Sequence, residues 1–235
     1  MFFYIFCIFS FFFEGIQINI YIDSNFNCTP KCDGNISSPY SNLMEAFRFL
    51  DQKGAQEAES NFIFNSLGSY EIKSNDTTKI EGFFKNINSK LSFGSLNKEE
   101  NVINIVSSTK NVVFFVNQFF SLVNIKFTFN ENIDLINIDN QSLFTVQKKD
   151  VFLSIENCSF TGLFLNNTRA AIFGDTEILT NISILISNSS FSNLNQTNGL
   201  VSLKSNNISL MIEECFFEKI YTQQHHIVNF PGKNS

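Results

Sequence analysis

Three stretches of the 235-residue chain align without gaps: residues 151–160 (VFLSIENCSF), 182–191 (ISILISNSSF) and 208–217 (ISLMIEECFF). A weaker copy ends at residues 122–127 (LVNIKF). The closing Phe recurs as Phe127, Phe160, Phe191 and Phe217, at spacings of 33, 31 and 26. A second motif precedes the last three copies, at 142–147 (SLFTVQ), 170–175 (AAIFGD) and 199–204 (GLVSLK), and begins again at 226–230 (HIVNF). Leu143, Ala171, Leu200 and Ile227 mark its register, at spacings of 28, 29 and 27. Two registers with nearly the same period define a repeat architecture.

Each repeat reads as a short strand, a turn, and a strand ending at Ile155, Ile186 or Ile212. A sharp break follows, then a Cys/Ser-x-Phe strand and a polar loop of variable length. Ankyrin and leucine-rich repeats need helical or Leu-x-x-Leu signatures, which are missing, and propeller blades need about 40 residues. Three short strands in 26–33 residues fit one coil of a parallel β-helix. Successive coils then lie about 4.8 Å apart, so Ile155 stacks on Ile186 and Ile212, and Phe160 on Phe191 and Phe217.

Upstream, residues 62–64, 70–72, 91–93 and 102–105 are short apolar or alternating runs between polar turns. Residues 42–53 read as a helix, with Leu43, Ala46, Phe47 and Leu50 on one stripe. Asn42 or Ser41 caps it, Glu45 stands where a capping box with Asn42 needs it, and Gly54 is a stop. The expected fold is therefore all-β, a parallel β-helix with one short N-terminal capping helix. Residues 1–20 form a signal peptide or N-terminal hydrophobic segment, 21–60 a cap, and 61–235 the coils, the last begun and unfinished.

This pattern resembles the right-handed parallel β-helix of the pectin-lyase-like superfold over residues 20–235. Helix 42–53 followed by FIFNSLGSYEI is similar to the capping helix and first coil of such domains. Asn124, Asn157 and Asn188 sit at the break where that fold carries a left-handed Asn, a conformation Asn tolerates better than most residues. Glu214 departs from this ladder. Within this shape the chain is most similar to large predicted surface and transmembrane proteins of ciliated protists. The resemblance implies a fold far more than an activity. It also carries the expectation that the chain is the N-terminal part of a longer membrane-anchored protein.

Residues 1–13 (MFFYIFCIFSFFF) are almost wholly apolar, and Glu14 and Gly15 end the run. That is shorter than the roughly 20 residues a membrane helix needs, and it suits a secretory signal. The stretch has no Lys or Arg before it, and Gly15, the best small residue for cleavage, has Phe13 two positions before it. An uncleaved hydrophobic strand is the competing reading. The expected location is extracellular or at the cell surface, through the secretory pathway. Asn-x-Ser/Thr sequons agree with export, although an Asn-rich chain also makes them by chance. Asn27, Asn35, Asn75, Asn140, Asn166 and Asn195 are the glycosylation candidates. Asn181 and Asn207 also head sequons, while Asn157 and Asn188 read as lying inside apolar strands.

Cys7 belongs to the hydrophobic segment. Cys28 and Cys32 flank a Thr-Pro-Lys turn and are expected to form a local disulfide. A zinc site would need further ligands within reach, and none is near in sequence. Cys158 and Cys215 share one repeat position, with Ser189 between them. Two coils separate them by about 9.6 Å, beyond the roughly 7 Å a disulfide spans, so both are expected as buried thiols.

Charges are scarce, at 16% of residues, against 43% hydrophobic. The net charge of −6 argues against nucleic-acid partners, which need a basic footprint. Phe reaches 30 residues, and the Phe-rich strands read as core. Lyases and hydrolases on this fold need a base or paired carboxylates. Arg48 and Arg169 are the two arginines, and the best carboxylate clusters are Asp175-Thr176-Glu177 and Glu213-Glu214, read as solvated turn or rim charges. Residues 23–27 begin like a calcium loop, but Cys28 and Gly34 stand where Gly and Glu are required. His225 and His226 diverge on a strand. No catalytic, metal-ligating or cofactor-binding residue is therefore expected. The functional expectation is a secreted or cell-surface structural or interaction module rather than an enzyme, with a glycan or protein partner and neither nucleic acid nor a small-molecule cofactor. A polysaccharide lyase or hydrolase is the alternative.

Overall fold

Strict alternation of apolar and polar residues decides the architecture, because it sends every second side chain inward. The computed structural model describes residues 17–28, 31–53, 59–65, 67–73, 91–95, 101–106, 114–129, 142–162, 172–175, 180–196, 199–222 and 227–229. Its strands form three sheets, and every strand pairing within them is parallel.

The first sheet runs in the order β1 (Gln17–Ile22), β2 (Glu59–Phe64), β4 (Leu91–Ser95), β7 (Phe119–Val123), β10 (Val151–Glu156), β13 (Thr180–Ser187) and β16 (Asn206–Glu213). The second stacks β3 (Ser69–Lys73), β5 (Asn101–Val106), β8 (Ile125–Phe129), β11 (Ser159–Thr161), β14 (Ser190–Gln196) and β17 (Phe216–Thr222). The third stacks β6 (Phe114–Val116), β9 (Phe144–Val146), β12 (Phe173–Asp175), β15 (Val201–Ser202) and β18 (Val228–Asn229). From β7 onward the chain visits the sheets in a constant cyclic order, each turn of chain pairing with the one before. This all-β stack is consistent with a β-helix. The first sheet begins at Gln17, upstream of residue 61, where the coils were expected to begin.

Register is like on like. Ile20, Phe62, Phe93, Leu122, Ile155, Ile186 and Ile212 form one continuous column in the first sheet. Tyr70, Ile103, Phe127, Phe160, Phe191 and Phe217 form its counterpart in the second. Phe127, Phe160, Phe191 and Phe217 stack face to face, with centroids 5.0–5.3 Å apart. In the third sheet Phe114, Phe144 and Phe173 stack likewise and present their edges to the second column. Here the expected register is off by one. Ile172, not Ala171, lies beside Leu143 and Leu200, because Phe173 pairs with Phe144 and Val201. A three-residue strand has too little alternation to fix register unaided.

Sharp corners join the sheets. Between the first and second, Asn124, Asn157, Asn188 and Glu214 all have φ of 48–58°. Glu214 thus keeps the ladder's conformation although it breaks the ladder's composition. At this corner the Asn124, Asn157 and Asn188 amides donate to the carbonyls of Glu156, Ser187 and Glu213 in the next turn, at 3.0–3.2 Å. Two further left-handed columns were not expected: Asp150, Asn181 and Asn207 at the entry to the first sheet, the last two as second residues of β13 and β16, and Gly162, Asn193 and Lys219 within or just beyond the second. Asn157 and Asn188 are exposed at their corner, not inaccessible within a strand.

The position after the corner holds a small donor in three successive turns. Cys158 Sγ, Ser189 Oγ and Cys215 Sγ each meet the carbonyl two residues back, at 3.2, 2.7 and 3.2 Å. Cys158 and Cys215 are not disulfide-bonded, the first being buried and the second partly exposed. Their thiols therefore serve as hydrogen-bond donors as well as fillers.

The N-terminal end is closed. Helix α1 (Leu43–Lys53) buries Leu43, Met44, Ala46, Phe47 and Leu50. Phe47 sets its ring edge-on against Phe62 and Phe93, inside the first turns. Asn42 Oδ1 accepts from the Met44 amide at 2.7 Å, which caps the helix. Residues 34–40 cover the outer edge of β1, through Tyr21 to Gly34 at 2.8 Å and Tyr40 to Tyr21 at 2.9 Å. Gly34 has φ of 78°, and the Tyr40 ring occupies the space a Cβ would need. Among the described residues no helix is long and apolar enough to cross a membrane, and residues 1–16 lie outside them.

The Phe columns predict a sharp contrast between two phenylalanines. Phe160→Ala should lower unfolding free energy by about 3–5 kcal/mol, because Phe160 is buried against rings on three sides. Phe152→Ala should cost about 1 kcal/mol or less, because Phe152 points outward, is 37% exposed and stacks on Phe119 at the sheet surface. Denaturant titration of both variants checks this.

Candidate functional site

The closed end carries a cleft of about 970 Å³, between the loop around Cys28–Cys32 and the outer face of α1. The loop is held in three ways. Cys28 and Cys32 are bonded, with Cα atoms 5.5 Å apart. The Ser24 amide donates to Tyr70 Oη at 3.1 Å, which ties the loop to the second sheet. Asn25 donates to the Leu67 carbonyl at 3.0 Å. On the other side, helical spacing brings Asn42, Glu45, Arg48, Phe49 and Gln52 to one wall.

The lining mixes rings and charges. Phe26, Tyr40 and Phe49 supply apolar surface, and Tyr40 and Phe49 pack with centroids 5.8 Å apart. Lys31 and Arg48 supply cations, and Asp33 and Glu45 supply anions. Burial, and then the Asp33 and Glu45 carboxylates, push the Tyr40 phenol above its ordinary value. Burial also raises Tyr70, partly offset by its bonds to Ser24. A concave site with ring walls and a few fixed polar groups suits a polar ligand with an apolar face.

The outer sheet faces are ordered too. Asn61 donates to Asn19 at 2.9 Å, and Ser92 to Asn61, so a polar ladder climbs the first sheet. On the second sheet Asn104 bonds Ser69 at 2.7 Å, Thr128 bonds Asn104, and Ser192 bonds Thr161 at 3.0 Å. Phe119 and Phe152 stack outward on the first sheet with centroids 5.5 Å apart. Not every Phe is therefore core, although their faces point along the stack and leave mainly edges to solvent.

Other sequence candidates scatter. Asp175 is buried, not a solvated rim charge. Its carboxylate accepts from the Lys204 and Ser205 amides at 2.9 Å and from the Ser205 hydroxyl, so it ties one turn to the next. Glu213 and Glu214 are exposed. Asp23 accepts from the Asn25 amide at 2.9 Å in a local turn. Arg48 lines the cleft, whereas Arg169, Glu177, His225 and His226 lie outside the described residues. Asn27 is exposed on the cleft rim. Asn35 is exposed, but its side chain is engaged by Asp33, Ser37 and Ser38. Asn75, Asn140 and Asn166 lie outside the described residues, and Asn195 is placed only by its backbone in β14. Among the described residues no group of three metal-ligating side chains converges. No single motif marked the cleft, because its walls come from segments that meet only after folding.

The chain matches no family model, no curated protein and no solved structure.

The raised phenols set a pH response. A pKa raised on folding means that the unfolded chain loses the proton first as pH climbs. The contribution of Tyr40 and Tyr70 to stability should be level below pH 10, the ordinary tyrosine value, and fall above it. Tyr40→Phe should flatten that fall, as measured by denaturation midpoints on either side of pH 10. An identical alkaline slope in the variant contradicts the assignment.

Proposed function

We propose that the three sheets form one right-handed parallel β-helix of the pectin-lyase-like kind, acting as a secreted or cell-surface interaction module without catalytic activity. Right-handedness follows from the strong preference of parallel strand connections for that hand. The partner is a glycan or a glycan-bearing protein, held in the cap cleft. The observation that carries this reading is the joining of Phe26, Tyr40 and Phe49 with Lys31, Asp33, Glu45 and Arg48 around one cleft. Sugars present both an apolar ring face and a rim of hydroxyls, and this lining offers a surface for each. The disulfide and α1 fix the walls beforehand, which lowers the entropy lost on binding. Export agrees with the apolar N-terminal run, the sequons and the local disulfide.

A polysaccharide lyase or hydrolase is the second reading. Asp33 and Glu45 both act on Tyr40, and Lys31 and Arg48 line the same cleft, so acidic and basic groups share one space. Hydrolysis or β-elimination would use such groups as acid and base.

Titration calorimetry with a panel of neutral and acidic oligosaccharides should find a ligand that binds without being cleaved. Phe49→Ala and Arg48→Ala should each weaken it about tenfold, which is ~1.4 kcal/mol, and the exposed Arg48→Ala should do so with thermal stability unchanged. Binding unaffected by both changes removes the cleft from the account. New reducing ends or unsaturated uronates in the incubated sample establish the enzyme instead.

A further inference from the structure

The loop that walls the cap cleft also carries a modification signal. Residues 27–29 read Asn-Cys-Thr, an Asn-x-Thr sequon, and Asn27 lines the cleft beside Phe26 and Cys28. Asn27 is exposed and lies outside any helix or strand, and its side chain makes no hydrogen bond to a described residue. The Cys28–Cys32 disulfide and the bond from the Ser24 amide to Tyr70 Oη fix the chain on either side of it. A group attached to Asn27 is therefore rooted at the rim and does not swing away with a loose loop.

The other sequons with described side chains are placed differently. Asn35 Nδ2 donates to Asp33 at 2.8 Å while its Oδ1 accepts from the Ser37 and Ser38 amides. Asn157 Nδ2 donates to Asn124, Asn181 Nδ2 to Asp150, and Asn207 Nδ2 to Asn181. Asn188 is exposed, but it turns the corner between β13 and β14 with φ of 48°, its amide held on the Glu213 carbonyl. A sugar on Nδ2 replaces one of its two hydrogens and needs open space around the nitrogen. Among these sequons Asn27 alone combines a free carboxamide with a loop backbone.

We infer that Asn27 is N-glycosylated and that its glycan overhangs the cap cleft, so that occupancy of this one sequon sets access to the site. The inference rests on the export and the cleft proposed above. The donor in the secretory pathway is an oligosaccharide joined to a lipid through diphosphate. The bond from Asn27 Nδ2 to the sugar C1 forms as the bond from C1 to the diphosphate oxygen breaks. The lipid diphosphate leaves with the bonding pair, and Nδ2 gives up one proton. The amide stays neutral throughout, so the effect on the cleft is steric. A glycan rooted at this rim sweeps the space before Phe26 and, across the cleft, before Arg48 and Phe49. Long or branched ligands meet it before they meet the walls.

The full chain secreted from a eukaryotic host should carry a glycan on Asn27, read by peptide mass spectrometry before and after enzymatic release. Phenylglyoxal labelling of Arg48, read by peptide mapping, should be severalfold faster in Asn27→Gln. Thr29→Ala removes the sequon without touching Asn27 and should behave the same way, whereas Thr29→Ser retains the sequon and should label like the unmodified chain. An oligosaccharide that binds the cleft should bind Asn27→Gln about tenfold more tightly, which is ~1.4 kcal/mol. A bare Asn27, Arg48 labelling indifferent to Asn27→Gln and Thr29→Ala, or equal sugar affinity with and without the glycan each overturns the inference. Faster labelling of Arg48 in both variants with no sugar bound by either form supports the glycan screen and removes the sugar from the cleft.

Discussion

Everything in this molecule depends on inward side chains meeting their own kind one turn away. Adjacent parallel strands lie about 4.8 Å apart, close to the distance at which aromatic rings stack. Phe127, Phe160, Phe191 and Phe217 use that coincidence, with ring planes within 4–9° of one another. The third-sheet phenylalanines turn their edges to these faces, so both favourable ring geometries occur at once. Substituting one member affects two neighbours in its column and the ring across the interior. The abundance of Phe and absence of Trp thus have a structural counterpart, since a flat single ring repeats in a column without a polar atom to satisfy.

Columns of rings need the backbone to turn at the same height in every coil. Left-handed residues recur at three positions of each turn, and Asn dominates because its short polar side chain tolerates positive φ. Side-chain bonds then run along the corners. Asn157 donates to Asn124, and Asn181 to Asp150 at 2.6 Å. The small donors Cys158, Ser189 and Cys215 bond the carbonyls exposed by the first of these corners. Core, corner and edge are therefore one repeated solution, and departures from it mark places with another purpose. The cap cleft is one such departure.

Much of this is legible in the sequence. A period shared by two motifs pointed to stacked parallel strands, and the first and second sheets follow the registers of Ile155 and Phe160. The helix was equally plain from one apolar stripe and its cap. The third sheet was misread by one residue, since Ala171 and Ile172 are both apolar and the strand is short. Asp175 looked like a turn charge because its partners, Lys204 and Ser205, lie 29–30 residues away. The extra left-handed columns were hidden for a related reason. Asn is common throughout the chain, and only alignment across turns separates a corner Asn181 from any other. The cleft was not legible, because residues 24–33 and 42–52 meet there only in the folded state.

The central claim is the parallel like-on-like register, and cross-linking tests it most directly. Ser121 and Ser154 are register partners on the outer face of adjacent turns, whereas Ser92 lies one turn further away. Cysteines at the first pair should close under mild oxidation, since about 4.8 Å between strands is within disulfide reach. Cysteines replacing Ser92 and Ser154, about 9.6 Å apart, should not. Peptide mapping reads both results. Closure of the Ser121→Cys/Ser154→Cys pair alone is the expected outcome, and failure of that pair, or closure of the distant one, contradicts the stacked register.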